Sequence, residues 1–343
     1  MMWIFFSITT ILLISGISFR EKCDFDSALE IRQANVIKGF FILLVFLSHI
    51  QPYISQSGYV FKGLDKIFLP FFNIALGQNI VCMFLFYSGY GIQRQIQKKG
   101  EEYVRTIPKH RLLNTLLNFD IAVLAFLILA IVLKTQLSPA KIVLAFTGWD
   151  SIGNSNWYIF DIIILYGLTY LSQTFARKPQ SQWIVFSILA LAFTIFMYCV
   201  KQIWWWDTIL CYWAGVTIAF FHDRIFGLLE QHWKRWLAVC LVAFCISFVC
   251  ISSIILLGNK GYATWWMMPW FWANLEHVAF ALCIVILTMR FDFKNTCLEW
   301  CGRLLFPIYI YQRLPMMIIP QNTIASYPAI YIVFSLAVTL CIA

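Results

Sequence analysis

Roughly eleven apolar runs follow one another along this chain of 343 residues, at 2–19, 34–54, 70–92, 112–134, 156–175, 182–200, 205–221, 235–257, 270–289, 303–319 and 326–343. Each is close to the roughly 20 residues a helix needs to cross the hydrocarbon core of a bilayer. The polar stretches between them are short, so a separate soluble domain has no room to form. Hydrophobic residues make up 61% of the chain and charged residues 12%, about half the roughly 25% charge of an ordinary soluble domain. Such a chain cannot cover a water-facing surface. The expected fold is all-α, a polytopic transmembrane helical bundle of about 10–11 spanning helices.

Lysine and arginine set the orientation. If loop 20–38 is cytoplasmic, so are 93–111, 176–181, 222–235 and 290–303, and these five hold 18 basic residues. The alternate loops hold only Lys62, Lys66, Lys141, Lys201 and Lys260. That asymmetry is the positive-inside rule and accounts for the net charge of +9. Nucleic-acid binding would need a basic face or a known motif, and the chain has neither. The first run has no basic residue before it and Arg20 and Lys22 after it. A cleaved signal peptide has the opposite layout, so residues 1–30 are expected to form an uncleaved N-terminal anchor helix and a short loop. The last run stops at Ala343 with no polar tail, as in a chain whose sequence continues further.

The eleven cysteines contain no CxxC pair, and nearly all lie in apolar runs, where small core thiols are the default. Neither a metal site nor a disulfide framework is expected. Tryptophan gathers near the outer face, at Trp149, Trp157, Trp204, Trp205, Trp206, Trp265, Trp266, Trp270 and Trp272. An interfacial aromatic belt explains this distribution; a sugar-stacking surface is the alternative.

Segment 34–54, ANVIKGFFILLVFLSHIQPYI, carries two ionisable side chains, Lys38 and His49, in an otherwise apolar helix. At about 100° per residue their separation is about three turns plus 20°, so both lie on one face, about 16 Å apart along the axis. Ionisable groups within a bilayer are costly and turn toward a cavity or a partner. Lys38 falls at the cytoplasmic end, where a lysine also snorkels to the interface. His49 lies toward the outer half, where a neutral imidazole can take a hydroxyl proton near neutral pH. Asp120, Asp161, Arg313 and the adjacent pair Glu276 and His277 are further ionisable groups in apolar runs. Internal pairing between helices is the first expectation for each, and Glu276 and His277, near the tryptophan-rich surface, are reserve site residues.

The run IKGFFILLVFLSH (37–49) resembles the signature helix of the membrane-bound acyltransferase 3 family: a basic residue, ten intervening residues, then histidine. Four more stretches resemble that family in order: FLFYSGYGI (84–92), RTIPKHRLL (105–113), NSNWYIFDIIILY (154–166) and CGRLLFPIYIYQ (301–312). The chain departs from the pattern in Lys38, where arginine is common, Leu305, where a small serine is common, and Gln312, where histidine is common. The resemblance covers roughly residues 30–320 and implies an acyltransferase 3-like transmembrane domain over 31–343.

That resemblance implies a multi-pass enzyme of the plasma (cytoplasmic) membrane. It would move an acyl group, usually acetyl, from cytoplasmic acyl-CoA to a hydroxyl of a cell-surface or lipid-linked glycan. Acetyl-CoA would be a cosubstrate, with no metal. His49 is the expected general base or transient acyl carrier. Lys38 and Arg111 are expected to hold the CoA phosphates. Ser88 would orient His49 or the thioester oxygen, or simply ease helix packing beside Gly89. Asn156, Trp157 and Tyr158, with Glu276 and His277, are expected at the glycan. A proton-coupled transporter or glycan flippase is the competing reading, although the halves of the chain show no internal repeat.

Overall fold

The computed structural model describes residues 1–343, and almost all of it is helix. The chain opens with α1 (Met2–Ser15), β1 (Ile17–Phe19), α2 (Phe25–Ala28) and the long α3 (Ile31–Gln56). There follow α4 (Leu64–Ala75), α5 (Asn79–Lys99), α6 (Glu101–Ile107), α7 (Asn114–Val132), α8 (Pro139–Phe146), α9 (Trp157–Phe175) and α10 (Pro179–Val200). Next come α11 (Ile209–Phe220), α12 (His222–Gln231), α13 (Trp233–Asn259), α14 (Pro269–Arg290), β2 (Phe291–Phe293) and α15 (Thr296–Arg303). The chain ends in α16 (Leu305–Tyr311), α17 (Arg313–Ile318), α18 (Gln321–Ser326) and α19 (Pro328–Ile342).

Every apolar run contains helix, and six helical stretches are long and apolar enough to cross a membrane. Helix α1, with 14 residues, and α19, with 15, are apolar but short. At about 1.5 Å per residue they reach little over 20 Å, less than the ~30 Å core. Two runs are broken where the sequence explains it. Run 70–92 is split between α4 and α5 at Gly77, whose φ of +31° takes it out of the helix. Run 303–319 is split at Gln312. Pro315, three residues on, lacks an N–H and its ring crowds the carbonyl of Tyr311, which weakens the helix at this point. Pro108 begins a π-turn, Pro108–Leu113, between α6 and α7, a wider register suited to the missing donor.

Helix α3 is the axis of the bundle. Its membrane-length window is 78% buried, against 22% for α10 and for α13, which therefore face the lipid. Glycines set the closest approaches. A Cβ on Gly39 would overlap the carbonyl of Leu298, and one on Gly302 that of Asn35, so α3 and α15 meet backbone to backbone. Gly89 and Gly215 do the same for α5 and α11, against the carbonyls of Tyr212 and Phe86. Small residues are the usual means of close approach between helices in lipid, where apolar burial supplies no driving force.

The loops rich in Lys and Arg converge at one end. Strands β1 and β2 pair antiparallel, Ser18 opposite Asp292. Asp292 receives Arg32 at 2.7 Å, Lys294 at 3.0 Å and Arg20 at 3.1 Å. Burial opposes its ionisation, but the hydrogen bonds from Lys294 and Arg32 and the charges of Arg20 and Arg32 win, holding its carboxyl below the usual range. His222 Nε2 lies 2.9 Å from Asp26, and Gln97 donates to the Ala219 carbonyl at 2.9 Å. Loops 20–38, 93–111, 222–235 and 290–303 thus share the face to which their positive charge assigns them.

Candidate active site

Helix α3 runs unbroken through Lys38 and His49, so the two share the face their spacing dictates. Lys38 is half-buried beside Gly39, at the crossing with α15. His49 is half-buried, and its Nδ1 is enclosed with no hydrogen-bond partner. The break at Gln312 turns three side chains toward it. The Tyr309 ring lies 6.1 Å from the imidazole, centroid to centroid, and Gln312 and Arg313 are neighbours. Gln312 is wholly buried; its Nε2 donates to the Tyr309 carbonyl at 3.1 Å while its Oε1 is unpartnered. The Tyr309 hydroxyl is also buried and unpartnered. Buried polar atoms without a partner are uncommon in folded proteins, and those of His49, Tyr309 and Gln312 lie together on this stretch of α3 and the end of α16.

Ser88 does not reach His49. It lies against the Tyr158 hydroxyl, and the Tyr158 ring is 5.1 Å from that of Tyr309. Tyr158 and Tyr309 thus form a path of contacts from the serine to the histidine. Arg111 sits on the π-turn, donates from Nε to the Tyr103 hydroxyl at 3.2 Å and lies 5.8 Å above the Tyr166 ring. The structure brings it to tyrosines of α6 and α9, not to Lys38. Asn156 is buried and donates to the Gly148 carbonyl at 2.8 Å. Tyr158 is buried, and Trp157 remains half-exposed. Nearby, the Lys201 ammonium lies 3.7 Å from the Trp149 ring and 4.1 Å from that of Trp205, within reach of a cation–π attraction to both.

A cavity of about 550 Å³ opens beside α3, with Ser48, the residue before His49, in its wall. Glu276 and His277 line it, with two residues that sequence reasoning passed over, Asn79 and Asp207. Asn79 donates to Glu276 Oε1 at 3.1 Å and its Oδ1 lies 2.8 Å from His277 Nδ1. His277 Nε2 is 3.3 Å from Asp207 Oδ2. Asp161, one turn into α9, is fully buried with neither oxygen partnered, within electrostatic range of Asp207. Asp207 had a signal, a lone acid opening an apolar run after three tryptophans; Asn79 had none. Asp120 is half-buried with one oxygen unpartnered, so the internal pairing expected of it is absent.

A family model for the acyltransferase domain matches residues 31–343. The chain belongs to the acyltransferase 3 family. No curated protein and no solved structure matches it. In this membrane acyltransferase the matched region begins at Ile31, the first residue of α3, so α1, β1 and α2 precede it. Two of the stretches that carry the resemblance pack directly on one another, through Gly39 of the Lys38–His49 helix and Gly302 of CGRLLFPIYIYQ. A third and a fourth meet where Ser88 touches Tyr158.

Proposed function

We propose that this acyltransferase moves an acyl group, acetyl in the first instance, from cytoplasmic acyl-CoA to a hydroxyl of a glycan, cell-surface or lipid-linked, at the plasma membrane. The observation that carries the reading is His49: an imidazole on the axial helix, with a buried unpartnered nitrogen, beside the orphaned polar atoms of Tyr309 and Gln312. Lys38 lies on the same face toward the positively charged end, about 16 Å away by helix rise. An extended pantetheine arm spans such a distance. Its phosphates would rest near Lys38, with Arg111 as a second cation at the same end of the molecule. The acceptor would approach from the cavity walled by Ser48, Glu276 and His277.

In the reaction His49 takes the acceptor hydroxyl proton as the oxygen attacks the thioester carbonyl. The carbon–sulfur bond then breaks, and the CoA thiolate recovers the proton from the imidazolium. A donor facing the developing oxyanion would come from the Tyr309 hydroxyl. The test is acyl-CoA-dependent acylation of candidate glycans in membranes, beside His49→Ala. Transfer should vanish in the variant while the protein still inserts; transfer retained in His49→Ala would sink the proposal. Loss of whole-glycan export with acylation intact would indicate a carrier instead.

A further inference from the structure

The 550 Å³ cavity beside α3 is unusual in its charges. Neither lysine nor arginine is among its 18 lining residues. Its one basic side chain, His277, is spent on the protein. The Asn79 amide faces the Glu276 carboxylate at 3.1 Å and the Ala75 carbonyl at 3.4 Å, both acceptors only, which fixes its nitrogen there and its Oδ1 toward His277. His277 Nδ1 must therefore donate to Asn79, and Nε2 faces Asp207. Neither ring nitrogen is left for a ligand.

The two carboxylates, by contrast, have capacity left. Glu276 gives one oxygen to Asn79. Asp207, 3% exposed, gives Oδ2 to His277 and leaves Oδ1 with no partner. An ionised carboxylate only accepts hydrogen bonds, so what completes these groups must donate. A ligand carboxylate placed here would meet two carboxylates against a single imidazolium, His277, whose two ring protons are already committed to Asn79 and Asp207, so a net negative charge opposes it in surroundings of low dielectric. Amides and hydroxyls of Asn73, Gln78, Ser252 and Asn259 complete a wall suited to hydroxyl groups.

Resting on the reading that this cavity receives the acceptor, we propose that the acceptor unit is an uncharged sugar, selected against acidic sugars by Asp207 and Glu276. The carboxylates take hydrogen bonds from its ring hydroxyls, and the Asn79–His277 pair holds them in place.

The experiment is direct binding, without any acyl donor, by the purified full chain in lipid nanodiscs. The probes are a methyl hexoside, a methyl N-acetylhexosaminide and a methyl hexuronide. The two neutral glycosides should bind at least about tenfold more tightly than the uronide, the scale of a hydrogen bond to a charged group. Glu276→Gln, which keeps the shape and removes the charge, should weaken the neutral ligands and narrow that ratio to about threefold or less. Asp207→Asn provides the same comparison if the first variant does not fold. Equal or tighter binding of the uronide to the wild type, or no binding by any glycoside, overturns the proposal. Because no donor is present, glycoside binding without acyl transfer would reject the proposed reaction and leave this site standing. Transfer onto an acidic sugar would do the reverse.

Discussion

Gly39 and Gly302 hold α3 and α15 at backbone contact, each occupying space that a Cβ would share with a carbonyl of the other helix. The obstruction is backbone and cannot rotate away. Gly39→Ala should force the helices apart and lower stability by at least the 1–3 kcal/mol typical of overpacking, and Gly302→Ala should do the same. Thermal unfolding in detergent measures this. Wild-type melting in both variants would mean that the crossing is looser than the structure has it.

Lys38, next to that crossing, is the residue through which the donor would be held. Lys38→Met should raise the KM for acyl-CoA by roughly tenfold or more, the loss expected for one charge-assisted contact, with a much smaller change in kcat. Lys38→Arg keeps the cation and should recover most of the loss. An unchanged KM in Lys38→Met would assign the donor phosphates to other cations.

Asp292 in β2 gathers three basic side chains: Arg20 just after β1, Arg32 of α3 and Lys294 just after β2. Its folded-state pKa is depressed, so its stabilisation is fully present above the unfolded value near 3.8 and is lost as pH falls through the lower folded value. Asp292→Asn should cost about 1–3 kcal/mol at neutral pH. The variant and the wild type should converge only at pH below about 3.8. A gap between their unfolding curves that stays constant down to pH 2 would contradict this assignment.

The helical bundle was legible because bilayer-length apolar runs are local properties of sequence, and the convergence of basic loops on one end because loop charge is too. The shared face of Lys38 and His49 was legible because two ionisable groups in one apolar helix have a calculable phase. The cavity was not. Asn79 and Asp207 meet Glu276 and His277 only after α5, α14 and the approach to α11 have packed, and an asparagine at a helix start carries no sign of a partner 197 residues away. Nor could Ser88 be placed: its contact is with Tyr158, a residue of α9 that packs on Tyr309, and such a partner depends on tertiary packing. The break that presents Gln312 lies beside Pro315, which is visible in the sequence, but prolines also lie inside the continuous helices α3 and α4, so the break and its direction depend on the tertiary packing of α16 and α17.

Because α3 is one uninterrupted helix from Ile31 to Gln56, the interval between Lys38 and His49 is kept by main-chain hydrogen bonds alone. It works as a ruler of fixed length. Rearrangement of the outer helices would leave unaltered the depth at which the imidazole sits. A donor whose reactive carbon lies too near its charged end, or too far from it, would be refused on length even when every contact at the cytoplasmic mouth is made.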